Sequence, residues 1–236
     1  MGAQRADNEK RTNNRTIDDE RTTRRPMTAG SRRLPVAPGG GRLAAVPVVV
    51  GALVLPFFPG VAAALFVLGF VALAFHRDPD RSPSGDGILA PADGRIRVVR
   101  EEAGRLRVGV FMNVHDVHVN RAPAPGTVTA ITHEPGGHWP AFAKDAERNE
   151  RVHIDLDTSA GAMRVTQIAG TFARRIHPYV EVDDDLARGD RIGHISFGSR
   201  VDVVFPQDVD RAALCVERGD RVKAGETVLV SDKRNA

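Results

Sequence analysis

The chain has 236 residues, room for one domain plus extensions, and its single cysteine, Cys215, excludes an intrachain disulfide and any multi-cysteine metal site. Aromatic residues make up only 5% against 23 glycines and 15 prolines, which argues for short strands and many turns over a bundle of long helices. The net charge of +3 is modest but unevenly spread, and the cysteine usage fits a reducing, cytosol-facing compartment.

Residues 1–42 carry ten Lys or Arg against five Asp or Glu and end in Pro35, Pro38 and Gly39-Gly40-Gly41. Nothing there can bury a core, so the segment reads as a disordered basic tail, either solvated or drawn to an anionic surface. From Leu43 to Phe75 no residue is charged, the pattern of a membrane segment. The run begins too far from Met1 for a cleaved signal peptide. Pro56, Pro59 and Gly60 split it into arms of about 13 and 15 residues, each short of the roughly 20 that a spanning helix needs. Arg32, Arg33 and Arg42 precede it and His76, Arg77 and Arg81 follow, which places both ends on the cytoplasmic side. A re-entrant hairpin accounts for both observations; one kinked span accounts for the length alone.

Beyond Ser82-Pro83-Ser84-Gly85, short β-branched runs alternate with turn residues. Strands are predicted at 94–99, 106–111, 152–156, 163–168, 191–195, 201–205 and 227–230, with hairpin turns at Glu102-Ala103-Gly104 and Thr158-Ser159-Ala160-Gly161. A short helix or loop is expected around Ala141 to Arg151. The result is one mostly-β domain over residues 86–232, within a C-terminal unit of 76–236. Two segments share a shape: Leu186-Ala187-Arg188-Gly189-Asp190-Arg191-Ile192 and Val216-Glu217-Arg218-Gly219-Asp220-Arg221-Val222. The wording of Gly219 to Glu226, with its two glycine turns, is that of the barrel-sandwich β fold of lipoyl and biotinyl carriers; Lys223 is misplaced for a carrier lysine.

Four places could carry chemistry. In Phe197-Gly198-Ser199-Arg200 the glycine tolerates a strained backbone, so the next hydroxyl can approach the preceding carbonyl; an ordinary turn is the competing reading. In Ala90-Pro91-Ala92-Asp93-Gly94 a carboxylate sits at a strand start, where a turn-forming Asp is equally at home. In the stretch Phe111 to Pro123, an extended backbone would put Asp116, His118 and Asn120 on one face and His115 on the other, but Val114, Val117 and Val119 do not alternate cleanly with the polar residues, so a bulge or the end of a strand is expected there. His118 has the intrinsic pKa to move protons near neutrality. The fourth place is the Gly219–Glu226 turn itself, a fold signal. His133, His138, His153 and His177 lack compact zinc-ligand spacing, and Walker or dinucleotide glycine loops are absent.

Taken together and in order, these pieces resemble the phosphatidylserine decarboxylase family in its short bacterial and archaeal form. The stretches that carry the resemblance are His76-Arg77-Asp78-Pro79-Asp80-Arg81, Ala90 to Gly94, Phe111-Met112-Asn113-Val114 through Arg121-Ala122-Pro123, Gly126-Thr127-Val128, and Phe197-Gly198-Ser199-Arg200-Val201. The resemblance implies self-processing. Ser199 attacks the Gly198 carbonyl to form an ester; loss of the α-proton eliminates it to dehydroalanine, which hydrolyses to a pyruvoyl group and ammonia. A β chain (1–198) and an α chain (199–236) then stay together as a heterodimer, with higher oligomers left open. The covalent pyruvate forms a Schiff base with the substrate amine and accepts the electron pair that carbon dioxide leaves behind. Asp93 is implied in proton transfer during self-cleavage and His118 during decarboxylation. Arg200 and Arg121 are candidate contacts for the lipid phosphate, with a surface role the alternative for Arg200. The sequence departs from the longer family form at Arg121, where that form has a second histidine.

The expected reaction converts phosphatidylserine to phosphatidylethanolamine and carbon dioxide at the cell membrane, with no metal and no nucleic acid partner. Two alternatives stand beside it: decarboxylation of the ether lipid archaetidylserine, and a non-enzymatic, membrane-tethered carrier-like β-sandwich. A nucleic-acid binder fits poorly, because one Trp and one Tyr make no stacking platform.

Overall fold

The computed structural model describes residues 36–137, 148–170, 176–195 and 199–231. Most of the basic tail, the stretch expected as a helix or loop near Ala141, His138 and Gly198 lie outside the described residues.

Two helices open the described chain, α1 (Gly40–Val54) and α2 (Pro59–Phe75). Proline at the start of α2 costs nothing there, since the first amide has no helical partner. The helices pack through small residues: Ala44, Pro47 and Gly51 on α1 meet Ala62 and Gly69 on α2. A side chain on Gly69 would meet Val48 Cγ2 at 2.6 Å and the Ala44 carbonyl at 3.1 Å, so glycine sets how closely the helices approach. Their other faces are apolar and exposed, with Val46, Leu53, Val67 and Phe70 the most uncovered large apolar residues, and Phe57 and Phe58 in the connecting turn are exposed as well. No helix among the described residues is long and apolar enough to cross a membrane.

The rest of the described residues are mostly β, with thirteen short strands among them in chain order from β1 (Ile88–Leu89) to β13 (Val228–Val230). Eight of them form one antiparallel sheet: β12 (Arg221–Val222), β2 (Gly94–Glu102), β3 (Arg105–Phe111), β11 (Arg200–Val204), β7 (Gly161–Ile168), β6 (Arg151–Thr158), β5 (Gly126–Glu134) and β9 (Asp185–Leu186). Register shifts between Ile96 and Val98 and between Val128 and Ala130 bend this sheet into a curled half-barrel. A second sheet runs β4 (Val119–Arg121), β10 (Arg191–Ile195), β8 (Ile176–Pro178); β1 pairs with β13. The core holds Val108, Val110, Ile154, Leu156, Val165, Val201, Val203 and Phe205 from facing strands.

All seven predicted strands and both hairpins are present. Glu102 pairs with Arg105 across Ala103-Gly104, both at positive φ, as a two-residue hairpin demands. The two look-alike segments dock alike. In each, an Asp carboxylate accepts from the amide three residues back (Ala187 N to Asp190, 2.7 Å; Glu217 N to Asp220, 2.8 Å). In each, the Gly and Asp bracket one residue of a neighbouring run: Gly189 N donates to Ala122 O and Ala122 N to Asp190 O, while Gly219 N donates to Ile96 O and Ile96 N to Asp220 O.

The break in alternation within Phe111 to Pro123 is a strand end: β3 ends at Phe111, a turn occupies 114–116, and β4 begins only at Val119. Asp116 accepts from the Asn113 amide at 2.8 Å, and this local bond competes with strand pairing.

Gly94 is the tightest backbone position. Its φ is +143°, and a methyl group there would sit 2.1 Å from the Phe111 carbonyl oxygen. Gly94→Ala is expected to cost at least about 2 kcal/mol, read as a lower urea midpoint with an unchanged denaturant slope.

Candidate active site

Ser199 stands immediately before β11, the strand that lies between β3 and β7 in the middle of the large sheet. Its carbonyl accepts from Met112 N at 2.9 Å, continuing the β3–β11 ladder one residue beyond Arg200 and Phe111. The side chain is 0% exposed, and Oγ has no hydrogen-bond partner among the described residues. A dry, unpaired hydroxyl costs free energy unless the site uses it.

His118 is 3% exposed, just ahead of β4. Nδ1 donates to the Asp116 carbonyl at 2.9 Å, so Nε2 keeps its lone pair, and Nε2 has no partner among the described residues. Its own carbonyl accepts from Ile195 N at 3.3 Å, which ties it to the last described residue before the Gly198–Ser199 bond. Burial pushes the imidazole pKa down to about 4, beyond what the Asp116 carbonyl and carboxylate restore; Arg77 and His76 lower it further. At neutral pH this ring is uncharged, as a base must be.

Asp93 sits at the start of β2 with both oxygens engaged. Oδ2 accepts from Arg81 at 2.8 Å and Oδ1 from Ala224 N at 2.8 Å. Only β3 separates β2 from β11, so Asp93 lies roughly 10 Å from Ser199 by strand spacing. The guanidiniums are also paired. Arg200 lies against Asp202 (Nη2 to Oδ2 3.0 Å, Nε to Oδ1 2.9 Å), and Arg107 grips the same carboxylate through Nε at 2.9 Å and through Nη2. Gly109, opposite Asp202 on β3, leaves room for it. Arg121 donates to Gly189 O (3.0 Å), Pro79 O (2.8 Å) and Asp78 Oδ1 (3.2 Å). A lipid phosphate at Arg200 or Arg121 would have to compete with a buried carboxylate.

Sequence reasoning missed three contributors. Asp78 bridges Arg121 and Arg191, the latter at 2.5 Å, so the His76–Arg81 motif clasps the end of α2 to the β domain. On β10, His194 meets the Tyr179 hydroxyl at 2.7 Å and stacks on His177 with centroids 4.6 Å apart. Burial first, then His177, His76 and His118, push the His194 pKa down to about 4. Phe75 at the end of α2 lies 4.3 Å from the His118 ring. Its only signal was that it is the last apolar residue before a charged motif. Of the dispersed histidines, His133 pairs with Glu150, His153 with Thr166 and His177 with His194, and no group of three or more candidate ligands could hold a metal among the described residues.

A phosphatidylserine decarboxylase family model matches residues 68–230, which spans the clasp, Asp93, His118 and Ser199. The chain belongs to the phosphatidylserine decarboxylase family. Across 72% of its length it is 60% identical to a Halobacterium salinarum protein named as an archaetidylserine decarboxylase proenzyme, 83% of which is covered. It is 51% identical to a Methanococcoides burtonii protein of the same name (70% of this chain, 77% of the relative). Against a phosphatidylserine decarboxylase proenzyme of Thermobifida fusca it is 52% identical (67% and 72%).

Histidines buried neutral make stability depend on pH. His118 and His194 hold pKa values near 4 in the fold and about 6.5 when exposed, so the unfolded chain binds more protons between those limits. Stability is complete above pH 6.5, falls as pH drops and levels off below about 4. The loss is on the order of 3 kcal/mol for His118 at most. Thermal melting followed from pH 7.5 to 4 should show it, with a shallower fall in His118→Gln.

Proposed function

We propose that this chain is a self-processing, pyruvoyl-dependent decarboxylase that converts phosphatidylserine to phosphatidylethanolamine and carbon dioxide at a membrane. The observation that carries the reading is the buried, unpartnered Ser199 hydroxyl, set at the head of the central strand in a chain of this family. In the first step Oγ bonds to the Gly198 carbonyl carbon, the C–N bond breaks, and the nitrogen leaves as the Ser199 amine. Removal of the Ser199 α-proton then expels the Gly198 carboxylate, and water releases ammonia from the enamine that remains. Asp93, an anchored carboxylate near the strand start, is the proposed proton carrier in processing. His118, neutral and with a free Nε2 lone pair, is the proposed one in decarboxylation. The pyruvoyl group supplies the electron sink for the departing carboxyl.

The two fragments are built to stay together. After cleavage, β11 still pairs with β3 and β7, β12 with β2, and β13 with β1. Asp93 holds Ala224 N and Arg81 reaches Glu226 at 3.4 Å, both across the cut. The paired docking of the two look-alike segments supports a lipoyl/biotinyl-like barrel-sandwich for the β domain. The exposed apolar faces of α1 and α2 support a re-entrant hairpin seated in the cytoplasmic leaflet of the cell membrane. Names carried by the Halobacterium and Methanococcoides relatives favour archaetidylserine as a second substrate reading; the serine headgroup chemistry is common to both.

Intact mass on purified protein should show fragments 1–198 and 199–236, the smaller blocked at its N-terminus and reactive toward carbonyl reagents. Ser199→Ala should remain one chain with no decarboxylase activity. Native gel filtration should keep the fragments in one peak that only denaturant resolves. A fully active single chain with an intact serine would refute the reading.

A further inference from the structure

Helix α2 is exposed along most of its length: Phe70 is 71% exposed, and Val67, Leu68, Val71 and Leu73 are also uncovered. Its last residue breaks the pattern. Phe75 is 5% exposed, turned away from the apolar faces and onto the imidazole of His118, with centroids 4.3 Å apart and the planes tilted by 39°. Here the ring is laid over an imidazole whose Nε2 is buried and has no partner among the described residues.

We infer that Phe75 is a positioning residue for His118, a cover that holds the imidazole plane and keeps water from its unpartnered nitrogen. The inference rests on the reading of His118 as the proton carrier in decarboxylation. Both sides of the contact are held in place. On the helix side, His76 Nδ1 meets Ala72 O at 2.9 Å, Arg77 Nη1 donates to Ala74 O at 2.7 Å, and Ala37 N donates to His76 O at 2.7 Å. On the loop side, the Asp116 carboxylate caps Asn113 N while the Asp116 carbonyl holds His118 Nδ1. Arg77 Nη2 joins the two sides through the His115 carbonyl at 2.5 Å. With Nδ1 fixed by a carbonyl, the ring still has one freedom, rotation about that bond, and the Phe75 face restricts it. Charged or titratable groups that bear on His118 are Asp116 from its own loop, His76 and Arg77 from the end of α2, and His194 from β10.

The test uses the full-length chain in detergent micelles with phosphatidylserine, comparing wild type, Phe75→Leu, Phe75→Ala and His118→Gln after intact mass has confirmed self-cleavage of each. Two readouts are taken: the pH profile of kcat, and the rate at which diethyl pyrocarbonate modifies His118, mapped by peptide mass spectrometry. Phe75→Ala should lower kcat about tenfold with KM within about twofold. Its acidic limb should move up toward 6.5, and His118 should be modified several-fold faster. Phe75→Leu, which keeps an apolar cover, should lie close to wild type in both. If Phe75→Ala does not process, Phe75→Val carries the same comparison. A processed variant with the wild-type acidic limb and modification rate overturns the inference, whatever its kcat. If His118→Gln decarboxylates normally, the proton-carrier reading fails instead, and the modification rate still decides whether Phe75 covers the ring.

Discussion

Everything at the site depends on where β11 lies. A strand paired on both sides, with β3 and β7, cannot shift register without breaking two ladders and turning Val201 and Val203 out of the core. Ser199 heads that strand, and its carbonyl is held by Met112, so the residue proposed for conversion is positioned by a strand paired on both sides. The same pairing bears on the proposed self-cleavage. A cut at an exposed edge would release a fragment. A cut just ahead of an interior strand leaves that fragment gripped by hydrogen bonds and apolar burial on both sides.

Around this strand the charged groups are arranged in buried sets. Asp202 sits between Arg107 and Arg200, and Asp78 between Arg121 and Arg191. Such sets add little net stability compared with apolar packing, but removing one member leaves a buried charge without a partner, which is costly. Their value here is directional. The Asp78 set fixes the end of α2 against the β domain, and with it the apolar hairpin, so the part of the chain suited to lipid is joined to the loop that carries His118. The Asp93 pair with Arg81 and Ala224 makes a third tie, between the start of β2 and the C-terminal β12–β13 segment.

Much of this could be read from residue order. The β-branched runs and the Ala103-Gly104 turn are local signals, and each became the element its pattern implied. The Phe111–Pro123 stretch was legible in part: broken alternation signalled a strand end, but alternation says nothing about a side chain that bonds nearby backbone, as Asp116 does to Asn113 N. Arg200 and Arg121 illustrate a second limit. A guanidinium next to a motif reads as open to ligand, and its real partner, Asp202 or Asp78, is supplied by strand pairing and by a segment far away in the chain.

The sequence by itself determined the family and the mostly-β architecture, since these follow from residue types in fixed order and from short-range periodicity. Only the tertiary structure decided that the Ser199 hydroxyl and His118 Nε2 are buried and without a partner among the described residues, that Phe75 lies over the imidazole, and that the His76–Arg81 motif is a clasp. Burial and partnership are properties of neighbours brought together from distant parts of the chain, and no local pattern encodes them.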